Sequence, residues 1–326
     1  MGKWRYETDN QIPEEIYEKR IGNEEFPFFN YGLMACSPDN TLEFFEKQQP
    51  YPIKMVWSNS QNPIANAACV PKRWHEAFKK IEFWVSQEIF MTPTVAAYAD
   101  IVLPVATFAE HEGVVIPHFG RNSAFVGAIN QCIERVGECK SDLEICFELG
   151  KRLNPKAWPW ETVSEFFTEQ IKEKTGLTYP ELKDKVVQQQ KYVYKKYEKG
   201  MLRSDGEPGF ETLTGLIELK ATIFESWGED PLPYFKEPPF SPYSTPDLYA
   251  EYPLVLTTGG RKFTSFHSEH RQIPSLRQIT PWPTVEIHPD TAAELGIMDG
   301  DWVCIENHLG KCRMKALVQP TVHPKV

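Results

Sequence analysis

Residues 53–104 read IKMVWSNSQNPIANAACVPKRWHEAFKKIEFWVSQEIFMTPTVAAYADIVLP, and the spacing of their apolar residues decides the fold class. Residues 53–57 form a short apolar run that stops at a polar stretch ending in Pro63, the pattern of a strand entering a loop. A helical pattern follows over 71–80. Residues 81–86 read as a second strand and 99–104 as a third, fully buried one. Strands alternating with helices at these intervals imply an α/β domain with a parallel sheet.

Outward from this core the signals are mostly local. A helix is expected near 41–48. Ser141 with Glu144 makes a capping-box pattern before a helix that should stop ahead of Asn154-Pro155. Thr162 with Glu165 and Thr178 with Glu181 open two more helices, expected to end near Gly176 and Gly200, with the Lys/Tyr run 191–199 as a solvated helix face. Seven prolines between Pro231 and Pro253 exclude helix and central strand there, so this stretch reads as a linker. Beyond it the pattern turns to β. Strands are expected at 254–258 and 284–287, a short helix at 289–295 with Gly296 past its end, and a hairpin of 302–306 with 311–318. The divisions are therefore 1–155, 156–250 and 251–326.

Composition narrows the function. With 326 residues, 41% hydrophobic and 25% charged, the chain has the make-up of a globular protein of about two domains. A net charge of −10 and no clustered Lys/Arg stripe argue against a nucleic-acid partner. No apolar run reaches the ~18 residues of a membrane span. The first fifteen residues have no apolar signal-peptide core, so a cytoplasmic placement is the default. The seven cysteines are odd in number and lack a C-x-x-C pair, which argues against a disulfide framework or a metal cluster and for reduced, structural thiols.

Two kinds of polar segment could carry chemistry. In parallel sheets ligands sit beyond the C-terminal strand ends. The expected loops 58–66 and 86–94 there offer Asn62, Gln87, Glu88 and Thr92. A carboxylate at such a place can accept two N–H bonds from a guanine edge. Taken alone, such polar residues after a strand are usually ordinary loop. The second segment, GGRKFTSFHS at 259–268, joins paired glycines that allow close backbone approach with Arg261, whose planar fork suits phosphate. By itself it also reads as a surface turn.

Taken together, SQNP at 60–63, SQEIFMTPT at 86–94, ADIVLP at 99–104 and EHEG at 110–113 resemble the molybdopterin oxidoreductase family of dimethyl sulfoxide reductase type. So do YPLVLTTGGR at 252–261, VEIHPDTAAELGI at 285–297 and DGDWV at 299–303. The match covers roughly 53–155 and 251–326. It implies a parallel-sheet nucleotide-binding domain with a helical insertion, followed by a mostly β, double-psi-barrel-like domain that is incomplete.

The resemblance also implies a cofactor, bis-molybdopterin guanine dinucleotide carrying molybdenum or tungsten. Asn62, Gln87, Glu88 and Thr92 match positions holding a guanosine end, and Asp142 one contacting a guanine. His111 stands where relatives often have Lys. Gly259, Gly260, Arg261, Ser265, Phe266, His267 and Ser268 match the loop that wraps a pterin-side phosphate, Ser265 departing from the usual His. The iron–sulfur domain, with its [4Fe-4S] cluster, and the metal-ligand loop have no counterpart here, so no catalytic or metal-binding residue is assigned. Met1 therefore reads as an internal start or a cut gene. The implied function is a fragment of an oxidoreductase for anaerobic chemistry on a small organic substrate, served by an iron–sulfur electron-transfer subunit. A hydratase or transhydroxylase of the same family, and a stand-alone guanine-nucleotide-binding module, are the alternatives.

Overall fold

A computed structural model describes residues 38–66, 70–115, 125–189, 192–260, 262–265 and 270–326, with Glu15, Lys19, Ile21, Gly22 and Cys36 besides. It divides into two compact units, Met1–Leu232 and Pro233–Val326. No described helix is long and apolar enough to cross a membrane.

The first unit begins with α1 (Pro38–Lys47), β1 (Met55–Asn59), α2 (Pro63–Asn66), α3 (Pro71–Phe78), β2 (Phe83–Glu88), α4 (Pro93–Tyr98) and β3 (Ile101–Pro104). The strands form a parallel sheet in the order β1-β2-β3, with Val56 beside Trp84 and Asn59 beside Gln87. The parallel α/β reading thus holds, but β1 and β2 run two residues later than expected. Ser58, expected in a loop, and Ser86, expected at the junction of strand and loop, are buried strand residues. The Ser58 hydroxyl donates to Ser86 Oγ at 3.1 Å and accepts from Trp84 Nε1 at 2.9 Å. Polar side chains that satisfy one another can extend a strand into the core.

One face of this sheet packs on helices. α3 presents Trp74, Ala77 and Phe78 at helical spacing, and these bury with Leu42, Phe45 and Trp84. The other face carries Met55, Trp57, Phe83 and Ile101, each more than a third exposed. β3 is a correction. It was expected to be fully buried, yet it is an edge strand whose Ile101 and Val102 are exposed. An apolar run does not encode how many neighbours will cover it.

The unit continues with β4 (Gly113–Val115), β5 (Phe125–Ile129), α5 (Asp142–Leu153), α6 (Val163–Thr175), α7 (Tyr179–Lys185), β6 (Val187–Gln189) and α8 (Thr222–Ser226). A second sheet, β4-β5-β6, is antiparallel and encloses Val126, Ile171, Tyr179 and Leu182. The capping boxes at Ser141 and Thr178 are formed, and Gly176 closes α6 in the left-handed conformation. α7, however, ends at Lys185, far short of Gly200. Val186 takes a φ of 66° and hands the chain to β6, which pairs with β5. Residues 196–200 form turns and none of the described residues of the Lys/Tyr run is helical, so the run is not a helix face.

Gly150 lies inside α5, where alanine ordinarily gains about 1 kcal/mol over glycine. Here an added Cβ would sit 2.3 Å from the Trp158 ring, which packs edge-on against Phe147. We expect Gly150→Ala to destabilise by about 1–3 kcal/mol instead. A urea titration showing stabilisation would refute this packing.

The second unit contains α9 (Pro246–Glu251), α10 (Pro274–Ile279), β7 (Thr284–Ile287), α11 (Pro289–Glu294), β8 (Trp302–Asn307) and β9 (Gly310–Val318). α9 corrects the helix-free linker: Pro246 occupies the first helical turn, where a missing N–H costs nothing. The hairpin forms around His308-Leu309, and β7 joins β9 in parallel. Residues 254–258 are not a strand. Val255 N donates to Lys325 O at 2.9 Å, but no ladder builds from that bond. Three strands are thus described in this unit, where about four were expected.

Candidate functional site

At the C-terminal edge of the parallel sheet, four side chains from three elements meet. Asn59 and Gln87 are register partners at the ends of β1 and β2, so their side chains share a face, and Trp57, two residues back, shares it too. Trp57 Nε1 donates to Gln87 Oε1. Gln87 Nε2 donates to Asp142 Oδ1 at 3.1 Å, and Asn59 Nδ2 donates to the same oxygen at 2.9 Å. Asp142 is the first residue of α5, placed there by the Ser141 cap, where the helix N-terminus favours a carboxylate. Its Oδ2 has no partner among the described residues. The structure thus joins Gln87 and Asp142, both expected from sequence, and adds Trp57 and Asn59, which were not. The signal for these two was their alternation along β1, legible only with the register known.

The other expected sheet residues have identifiable local partners. Asn62 Oδ1 accepts from Thr94 Oγ1 at 2.7 Å, and Thr94 is fully buried. Thr92 is the N-cap of α4, its hydroxyl accepting from Val95 N at 3.3 Å. Gln87 and Glu88, expected in a loop, are the last residues of β2. Glu88 Oε1 accepts from Ile89 N at 2.9 Å. These are strand-end and capping positions, which hold side chains more rigidly than a loop would.

Next to this edge in sequence lies a charged segment. His111 Nδ1 approaches Glu112 O at 2.8 Å. The buried Glu110 carboxylate accepts from Thr107 N, Thr107 Oγ1 and Val136 N, each at 2.8 Å, and from the Cys139 thiol. The bonds from Thr107, backbone first, then those from Val136 and Cys139, hold its pKa below the usual carboxylate range. For Glu144, burial raises the pKa, but the Arg135 guanidinium and the Ser141 donors outweigh it and the net shift is downward. Burial, with Glu112 nearby, pushes the Tyr179 hydroxyl up to about 12. Glu112, Arg135, Glu144 and Tyr179 line a cavity of about 120 Å³. That is well below the ~300–1,000 Å³ of small-molecule pockets, and the groups are already paired. They are structural.

In the second unit, Gly259 and Gly260 lie exposed before a short turn. Gly259 has a φ of 127°, reserved for glycine, and nothing lies within 4 Å of where a Cβ would stand on either residue. Backbone here is open to close approach. Ser265 N donates to Lys262 O at 3.1 Å, closing the turn. Lys262 Nζ donates to Thr284 Oγ1 at 2.7 Å, a cation at the loop that sequence had not singled out. Arg261, Phe266, His267 and Ser268 lie outside the described residues. Among the described residues no group of three His, Cys, Asp or Glu could hold a metal ion, and the six described cysteines are free thiols.

Comparison with known proteins places both segments. Residues 32–152 match the family described as molybdopterin oxidoreductase, and 254–326 the molydopterin dinucleotide binding domain. The chain is 31% identical to a dopamine dehydroxylase of Eggerthella lenta, over 92% of this chain and 36% of that protein. It is 29% identical to an acetylene hydratase of Syntrophotalea acetylenica, over 93% and 43% respectively. The solved acetylene hydratase from Pelobacter acetylenicus superposes with a TM-score of 0.83 at 27% identity, covering 95% of this chain and 44% of that one. The chain spans between 36% and 44% of the length of these relatives. With both cofactor-domain segments present in order, the chain belongs to the molybdopterin oxidoreductase family of dimethyl sulfoxide reductase type, whose cofactor is molybdopterin guanine dinucleotide with molybdenum or tungsten.

Proposed function

We propose that this chain is the cofactor-holding C-terminal part of a molybdenum- or tungsten-dependent enzyme acting on a small organic substrate, with anaerobic redox chemistry as its activity. The observation that carries the reading is Asp142: a carboxylate at a helix N-terminus, braced on one oxygen by Asn59 and Gln87 and with the other lacking a partner among the described residues. Guanine's Watson–Crick edge offers N1–H and a 2-amino group, both donors, and suits such an acceptor. Asn62, Gln87, Glu88 and Thr92 would hold a guanosine end and Asp142 would contact the guanine, with His111 at a position that relatives often fill with Lys. Gly259, Gly260, Arg261, Ser265, Phe266, His267 and Ser268 would wrap a pterin-side phosphate. The open backbone at Gly259-Gly260 and the Lys262 ammonium fit an anionic group.

When bound, the cofactor supplies the metal chemistry; this chain orients it and holds its charge. In the same reading the domains run 1–155, 156–250 and 251–326, the last double-psi-barrel-like. A small-molecule substrate and an iron–sulfur subunit are the partners, with a [4Fe-4S] cluster carried outside this chain. The exposure of Met55, Trp57, Phe83 and Ile101 on one face of the sheet supports further polypeptide packing over them, because parallel sheets are normally covered on both faces. The likeness to acetylene hydratases favours a second reading, hydration or transhydroxylation without net redox change.

The test is calorimetric titration of the intact chain with GDP and ADP. We expect GDP to bind and ADP to bind at least about tenfold more weakly, the ~1.4 kcal/mol of one good hydrogen-bond difference. Equal affinities, or no binding of GDP, would remove the guanine reading.

A further inference from the structure

We infer that Trp57 and Asn59 are positioning residues that set base selectivity through Asp142, a role that rests on the guanine reading above. The indole N–H can only donate, so its bond to Gln87 fixes the Gln87 carbonyl toward Trp57 and the amide nitrogen toward Asp142. Gln87 is 2% exposed, so its amide cannot recruit water to relax that choice. Asn59 donates to the same Asp142 oxygen from the neighbouring strand. Oδ1 therefore has both lone pairs occupied, and the carboxylate cannot rotate without breaking two bonds. What remains for a ligand is Oδ2, an acceptor-only point held in one direction.

Such a point discriminates between purines by sign. Guanine turns two donors toward it. Adenine turns one donor and the bare N1 lone pair, which meets the carboxylate oxygen repulsively. If Gln87 were free to flip, its carbonyl would face Asp142 Oδ1 and repel it, the carboxylate would lose that brace and turn, and the discrimination would fade. The indole and the Asn59 amide suppress that alternative. Neither needs to touch the base.

The test is the GDP-to-ADP affinity ratio of Trp57→Phe and Asn59→Ala in the intact chain. Trp57→Phe keeps an aromatic ring and removes the donor together with the pyrrole half of the indole. Asn59 is exposed, so its truncation leaves no cavity and keeps the inference testable if the first variant folds poorly. We expect each variant to lower the ratio about five- to tenfold, one hydrogen bond's worth of alignment, chiefly through weaker GDP binding. Trp57→His, which can restore a ring N–H, is expected to recover part of the ratio. A purely structural role would weaken both nucleotides alike. An unchanged ratio in both variants overturns the inference while leaving the guanine reading intact; a wild-type chain without GDP preference overturns that reading first.

Discussion

Replacing Phe78 by alanine is expected to cost the first unit about 3–5 kcal/mol, a large share of the ~5–15 kcal/mol that holds a typical domain folded. Phe78 is 4% exposed and lies at the centre of an aromatic cluster. Its ring meets Phe45 at 5.5 Å, Trp74 at 5.2 Å, Trp84 at 4.9 Å and Tyr98 at 5.3 Å, three of the four edge-on. The helix side of the sheet is built on these contacts, and neighbours this bulky cannot close the void. In urea the unfolding midpoint, followed by tryptophan fluorescence, should fall by about 1–2 M. Phe235→Ala is the control: at 82% exposed it should shift stability by no more than about 0.5 kcal/mol. Equal effects from the two substitutions would mean that the cluster is not the core of this unit.

The parts of the fold legible in sequence are those whose cause is local. Ser141 with Glu144 and Thr178 with Glu181 are reciprocal caps within four residues, and they form as expected. Pro289 and Gly296 bracket α11 for the same kind of reason, and the hairpin turn at His308-Leu309 separates two runs that pair in register. The misread elements depend on distant partners. Ser58 looked like a loop residue because its hydrogen-bond partners, Ser86 and Trp84, lie 28 and 26 residues away. The helix expected to reach Gly200 stops at Val186 because β5 needs a third strand. Residues 254–258 have the composition of a strand without a ladder beside them.

The candidate site divides along the same line. Gln87 was a candidate from its place after a strand, but Asp142 was reached only through family resemblance, since nothing local links residues 55 positions apart. Trp57 and Asn59 carried no motif. Their relevance comes from the register that sets Asn59 beside Gln87, a property of two strands and a helix together.

Asp142→Ala should weaken GDP binding about 30- to 150-fold. A charge-assisted hydrogen bond to a buried ligand edge contributes about 2–3 kcal/mol, and each 1.4 kcal/mol is tenfold in affinity. ADP should change by less than about threefold, because its edge gains little from that oxygen. Part of the alanine effect acts on the protein itself: Gln87 Nε2 loses its acceptor in a nearly closed environment, at about 1–3 kcal/mol of stability. Asp142→Asn separates the two contributions. An asparagine keeps an oxygen that can face Gln87 and Asn59, so stability should largely return. Its amide nitrogen then replaces Oδ2 and points a donor at guanine's donors, so GDP binding should stay weak and the GDP-to-ADP ratio should approach one. Thermal unfolding and titration of both variants give these quantities independently. If Asp142→Asn binds GDP as tightly as the parent chain, Oδ2 does not face the base, and the guanine must be read elsewhere on this edge.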